Sequence, residues 1–132
     1  MAAAVYLNHN FFMVSVLLIE DAADLRAEIK LGLEKAGHTV TEAASGDEGI
    51  VLFAKQPVDV VITDVIMDKG EGIETLHRLH DRAPELPVIA ISGNPRSSTY
   101  LRLAETFGVD HTLEKPFPFG VLQATIETLV HH

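Results

Sequence analysis

Apolar residues along this chain follow two rhythms. Val14–Ile19, Val58–Thr63 and Val88–Ile91 are nearly continuous apolar runs, the pattern of strands buried on both faces. Between them the spacing becomes helical. Leu25, Ile29 and Leu33 recur on one side from about Ala22 to Ala36, with Arg26, Lys30 and Glu34 opposite and Gly37 as a natural stop. A short strand over His38–Glu42 follows. Ser45-Gly-Asp-Glu48 has the form of a capping box, opening a helix that buries Ile50 and Phe53 and ends before Pro57. Ile73, Leu76 and Leu79 mark a third helix that stops before Pro84. A fourth begins near Pro95, carries Tyr100, Leu103, Ala104 and Phe107, and ends at Gly108. A short strand near His111–Leu113 precedes Lys115-Pro116, and a last helix carries Phe119, Leu122, Ile126 and Leu129. Strand and helix alternate five times. Units of this length predict an α/β domain, a parallel sheet with helices on both faces.

Composition narrows what such a domain does. A chain of 132 residues makes one domain with a proper core. No repeat or low-complexity tract interrupts it. Without cysteine, disulfides and thiolate metal sites are excluded. The 19 acidic and 10 basic residues leave a net charge of −9, which argues against direct nucleic-acid binding and favours a protein that gathers cations. No apolar run approaches the roughly 20 residues of a membrane helix. Residues 1–13 depart from the alternating pattern and read as an N-terminal arm or an expression remnant, with Met13 as an alternative natural start. His131-His132 read as native or as the stump of a tag.

The chemistry lies where the runs end. Glu20-Asp21 follow the first strand, Asp64 closes the third, Ser92 follows the fourth and Lys115 follows the fifth. An open parallel sheet presents its ligand groups at the strands' carboxyl ends. Three carboxylates, a hydroxyl and an ammonium at one point suit a divalent cation and a phosphoryl group, with Asp64 as nucleophile. Crowded carboxylates raise one another's pKa, and Mg²⁺ relieves that conflict through its preference for oxygen ligands. Taken singly, Glu20-Asp21 also fits a helix N-terminus, Ser92 a turn and Lys115 a surface charge. Lysine directly before proline is steered to extended geometry, which aims Lys115 back across the strand ends.

Leu18-Ile-Glu-Asp21, Asp64-Val-Ile-Met67, Gly72-Ile-Glu74, Ser92-Gly93 and Lys115-Pro-Phe117 together resemble the CheY-like receiver domain of two-component response regulators. The match runs in order from about Val14 to Val130. The resemblance implies a flavodoxin-like three-layer sandwich, a five-stranded parallel sheet of order 2-1-3-4-5 with five helices, over residues 14–132. It implies that Asp64 takes a phosphoryl group from a sensor histidine kinase or a histidine phosphotransfer protein. Ser92 and Lys115 would bind that group and move on its arrival. Asp21, Asp64 and the main-chain carbonyl of Ile66 would ligate Mg²⁺ directly, and Glu20 mainly through a metal-bound water. The same resemblance implies a cytoplasmic location and no catalysis beyond the domain's own phosphoryl transfer and autodephosphorylation. A downstream protein target would bind the face of helix 4, strand 5 and helix 5. No output domain is expected within the chain. A phosphorylation-independent binding module and an aspartyl-phosphate hydrolase are the rival classes. The intact polar set argues against the first, and apolar Ile66, where such hydrolases want a second carboxylate, against the second.

Several positions depart from the family pattern. Thr112, beside His111, stands where an aromatic residue usually reports phosphorylation. Asp68 replaces a common proline and loosens its loop. Beyond Phe117 there is no Lys or Arg, which disfavours the usual charged dimer face; Arg96 and Tyr100 are candidates for a partner surface. His77 and His80, with no third ligand evident, read as surface histidines, and Phe117 and Phe119 as packing residues. Ile66 stands where polar groups are frequent and shields the phosphoryl group from water. Loss of that group should therefore be slow, and Ile66→Asn should accelerate it, as measured by decay of the phosphorylated mass.

Overall fold

Five strands pair in parallel, and each of the first four helices returns the chain from one strand's carboxyl end to the next strand's start. The computed structural model describes residues 13–65, 71–93 and 97–130. The elements are β1 (Ser15–Ile19), α1 (Ala23–Lys35), β2 (Thr39–Ala43), α2 (Gly46–Lys55) and β3 (Val60–Asp64). They continue with α3 (Glu71–Arg82), β4 (Val88–Ser92), α4 (Ser97–Thr106), β5 (His111–Glu114) and α5 (Phe119–Val130). The sheet order is β2-β1-β3-β4-β5, the order that the resemblance implies. The arm at residues 1–12, Ile66, Asp68, the predicted helix start at Pro95, Arg96, the Tyr100 side chain and His131-His132 lie outside the description.

The apolar runs divide between two cores because successive strand side chains point to opposite faces. Val16 and Leu18 join Val60, Ile62, Ile89 and Ile91 beneath Ile29 and Leu33 of α1 and Leu122 and Ile126 of α5. Leu17 and Ile19 join Val61, Val88 and Ala90 beneath Ile50 of α2, Leu76 and Leu79 of α3 and Ala104 of α4. The central strands are thus apolar at nearly every position. Phe117 and Phe119 pack against the first core, as read.

The helix ends follow the punctuation in the sequence. Ser45 accepts the Glu48 N–H at 3.1 Å, while Glu48 Oε1 accepts the Ala44 N–H at 2.7 Å, one residue beyond the usual box. Gly37, at φ 101°, ends α1 in a Schellman motif, with Gly37 N–H bonded to Glu34 O and His38 N–H to Leu33 O. That second bond draws His38 into the helix end, so β2 begins one residue later than the pattern predicts. Likewise β3 begins at Val60 rather than Val58. Asp59 bonds to Ser15 through both its main chain and its carboxylate, in place of a regular ladder.

Two glycines on helices sit in opposite surroundings. A Cβ on Gly49 of α2 would overlap Ile19 Cδ1 and lie 2.8 Å from its Cγ1, within the core. A Cβ on Gly120 of α5 would meet nothing within 4 Å. Gly49→Ala should therefore cost about 1–3 kcal/mol through overpacking. Gly120→Ala should add about 0.5–1 kcal/mol through helix propensity. Urea unfolding of the two variants checks both signs.

Candidate functional site

The carboxyl ends of β1, β3, β4 and β5 bring the predicted polar residues to one edge of the sheet. Glu20 and Asp21 follow β1 directly, Asp64 and Ser92 are the last residues of β3 and β4, and Lys115 follows β5. Glu20 continues the alternation of Val16 and Leu18, Asp64 that of Val60 and Ile62, and Lys115 that of Leu113. Period two therefore sends these three toward the same face. The distances agree: Lys115 Nζ lies 2.9 Å from Glu20 Oε1 and 2.9 Å from Asp64 Oδ2. Gly93 leaves room for the lysine stem, since a Cβ there would lie 3.0 Å from Lys115 Cβ. The Lys115–Pro116 peptide bond is cis, and Lys115 N–H donates to Ser92 O at 2.7 Å.

Glu20 and Asp21 are adjacent in sequence but differ in burial. Glu20 is 0% exposed and Asp64 4%, whereas Asp21 is open to solvent. The α1 N-cap is Ala22, which has no side-chain cap, and Glu20 turns inward. Its second oxygen, Oε2, accepts the Ala22 N–H at 3.0 Å. One carboxylate oxygen from each of Glu20, Asp21 and Asp64 falls within 4.8 Å of the other two. Among the described residues no other group of three or more His, Cys, Asp or Glu gathers in this way. His77 and His80 are exposed, and His77 pairs with Asp81 at 3.5 Å.

Electrostatics shows that the cluster carries surplus negative charge. Burial pushes the Glu20 carboxyl up to about 7, with further upward pressure from Asp64; the Ala22 N–H and Lys115 oppose this only in part. Burial pulls the Lys115 ammonium down, but hydrogen bonds and charges from Asp64 and Glu20 outweigh it and raise its pKa. One ammonium facing three carboxylates leaves a deficit of positive charge. An all-oxygen donor set in that state fits Mg²⁺.

Residues 16–127 match the family described as the response regulator receiver domain. The chain belongs to that family. It is a receiver domain of the kind that two-component response regulators carry. It is 33% identical over 118 residues to the transcriptional regulatory protein AfsQ1 of Streptomyces coelicolor, covering 89% of this chain and 52% of the relative. It is 32% identical over 114 residues to the KDP operon transcriptional regulatory protein KdpE of Escherichia coli, covering 86% and 50%. The chain thus spans about half the length of these relatives. A response regulator receiver domain protein from Clostridium thermocellum superposes with a TM-score of 0.81 at 30% identity, covering 88% of this chain and 93% of that one. The chemotaxis response regulator CheY4 of Vibrio cholerae gives 0.80 at 25%, covering 89% and 99%. Among the described residues of this receiver domain, no helix is long and apolar enough to cross a membrane.

The cluster gains a residue that the sequence did not single out. Arg26, assigned by pattern to the polar side of α1, turns back to donate from Nη1 to the main-chain oxygen of Glu20 at 2.7 Å. Thr112 is half-buried and His111 exposed.

The Glu20 shift carries a pH dependence whose sign is fixed. Its folded pKa, about 7, lies above its ordinary 4.5, so between these values the folded state holds more proton than the unfolded state. Stability of the metal-free protein should fall as pH rises from about 4.5 through about 7. Glu20→Gln should flatten that fall, measured as Tm against pH in EDTA.

Proposed function

We infer that this receiver domain takes a phosphoryl group onto Asp64 from the phosphohistidine of a sensor histidine kinase or histidine phosphotransfer protein. An Asp64 carboxylate oxygen attacks phosphorus, the phosphorus–nitrogen bond breaks, and its electron pair stays on the imidazole, which takes up a proton. Lys115 carries this reading: its ammonium already lies 2.9 Å from Asp64 Oδ2, beside the oxygens that gain charge in the transfer. On this reading the Ser92 hydroxyl, at the adjoining strand end, donates a hydrogen bond to the transferred group. Glu20, Asp21, Asp64 and the Ile66 carbonyl are the residues that would hold Mg²⁺, which when bound supplies positive charge to the phosphoryl oxygens. Burial of Asp64 at the end of β3, between β1 and β4, limits water at the acceptor.

The proposed output surface is the face of α4, β5 and α5, for a protein target. A groove of about 340 Å³ runs there between β5 and α5, lined by His111, Gly120, Val121, Ala124, Thr125, Thr128 and Leu129. None of these is Asp, Glu, Lys or Arg, although the chain's net charge is −9. An uncharged, partly apolar groove on so acidic a protein supports a docking role. Apart from its own phosphoryl transfer and autodephosphorylation, the domain is assigned no turnover.

Incubation with acetyl phosphate and Mg²⁺, read by intact mass, tests the acceptor. The wild-type chain should gain one phosphoryl group, and Asp64→Asn should abolish the gain. A chain that gains nothing from any donor would be a binding module instead.

A further inference from the structure

The proposed chemistry leaves Arg26 without a role, yet its guanidinium ties three elements together at the acidic trio. Nη1 donates to the main-chain oxygen of Glu20 at 2.7 Å, after β1. Nε donates to Glu42 Oε1 at 3.2 Å, on β2, while Glu42 Oε2 lies 3.1 Å from Lys30 Nζ on α1. The Arg26 side chain is 19% exposed, so the fork is shielded along most of its length. Lys30 first, and Arg26 with it, holds the Glu42 carboxyl below its ordinary range. On the other side of the same turn, Glu20 N–H donates to Ala43 O at 3.0 Å.

The oxygen that Arg26 grips belongs to the peptide unit joining Glu20 to Asp21. Both carboxylate side chains leave from the two ends of that unit. Its orientation therefore decides whether the buried and exposed acids converge with Asp64. Groups behind a metal's ligands commonly act in this way, and their loss costs about 10- to 100-fold in metal affinity.

We propose that Arg26 is a positioning residue for divalent-cation binding, holding the Glu20–Asp21 peptide so that both carboxylates face Asp64, with Glu42 anchoring the guanidinium. The inference rests on the reading that the acidic trio binds Mg²⁺. It also makes a choice of sign. A cation beside a metal site repels the metal, so a pure charge effect would make removal of Arg26 tighten Mg²⁺ binding. A positioning effect makes removal weaken it.

Mg²⁺ titration of the full chain, followed by the backbone amide NMR shifts of Glu20, Asp21 and Ala22, separates the two. Urea unfolding in EDTA accompanies it. Arg26→Met should raise the Mg²⁺ Kd by about 10-fold or more. Arg26→Lys, which keeps the charge and one donor, should recover part of the loss. Lys30→Met, which removes the other cation on Glu42 but leaves the Nη1 bond to the Glu20 carbonyl in place, should weaken binding less than Arg26→Met does. Unchanged or tighter binding in Arg26→Met overturns the proposal, as does an equal weakening in Lys30→Met. Should Arg26→Met fail to fold in EDTA, Glu42→Ala frees the guanidinium without removing it, and the same measure decides: weaker binding supports the proposal, wild-type binding overturns it. A wild-type chain that shows no Mg²⁺-dependent shift sinks the metal reading and this inference with it, an outcome visible before any variant is made.

Discussion

The Lys115 ammonium stands 2.9 Å from a carboxylate oxygen on each of two strand ends, and the site's arrangement depends on that bridge. Glu20 and Asp64 are both nearly inaccessible to solvent. Two such carboxylates facing each other without a cation would repel in a medium that screens poorly. Removing one partner from a buried ionic group generally costs about 3–5 kcal/mol, because the remaining charge has no solvent to turn to. The single ammonium is nevertheless too little, since Glu20 remains raised to about 7. A site in this condition tolerates its own crowding but retains affinity for further positive charge. That residual imbalance is what suits it to a divalent cation, and an apolar strand end would have none of it.

The bridge exists because the sheet is parallel and covered on both faces. Every strand then ends at the same edge, and the period of two sends Glu20, Asp64 and Lys115 to the side shared by α1 and α5. A gap in either core would loosen the strand ends together. Val16, Leu18, Ile62 and Ile91 under α1 and α5, and Leu17, Ile19 and Ala90 under the other helices, fix the height at which the polar residues emerge. Stability of the core and geometry of the site are therefore linked through strand register, in which Ile19 lies opposite both Ala43 and Thr63.

Local signals in the sequence correspond closely to local features of the fold. Gly37 and Gly108, both at positive φ, end their helices where the pattern places them, and Ser45 caps α2. Apolar runs mark the buried strands because burial on two faces leaves no polar position to obscure them. What stays illegible depends on partners distant along the chain or on which way a long side chain turns. His38 looks like the first residue of a strand, yet its Nδ1 accepts the Val14 N–H at 3.2 Å and its Nε2 lies 3.0 Å from Gln123 Oε1, 85 positions away. The place of Gly32 within α1 is likewise set from afar, since a Cβ there would lie 2.8 Å from the Phe119 ring. Arg26 has the helical phase of a solvent-facing residue, but its stem is long enough to fold back to the preceding loop. Nor could sequence separate Glu20 from Asp21, since adjacent acids differ in burial only once the strand's pleat is known.

Two of the departures from the family pattern lie away from the polar set, and this has a physical consequence. Glu20, Asp21, Asp64, Ser92 and Lys115 all stand at the carboxyl ends of the strands, whereas Thr112 and a final helix without Lys or Arg lie toward the proposed output face. Thr112 has only two heavy atoms beyond Cβ and is stiff at χ1, so it cannot displace the volume that a rotating ring would. Besides the Lys115 side chain, backbone links join the site to β5. Lys115 N–H is bonded to Ser92 O at 2.7 Å, and Ala90 pairs with Thr112 one step down the ladder. A displacement of the Lys115 or Ser92 main chain is therefore felt directly along the strand that borders the groove. The backbone of β5 connects the two regions whatever side chain stands at position 112.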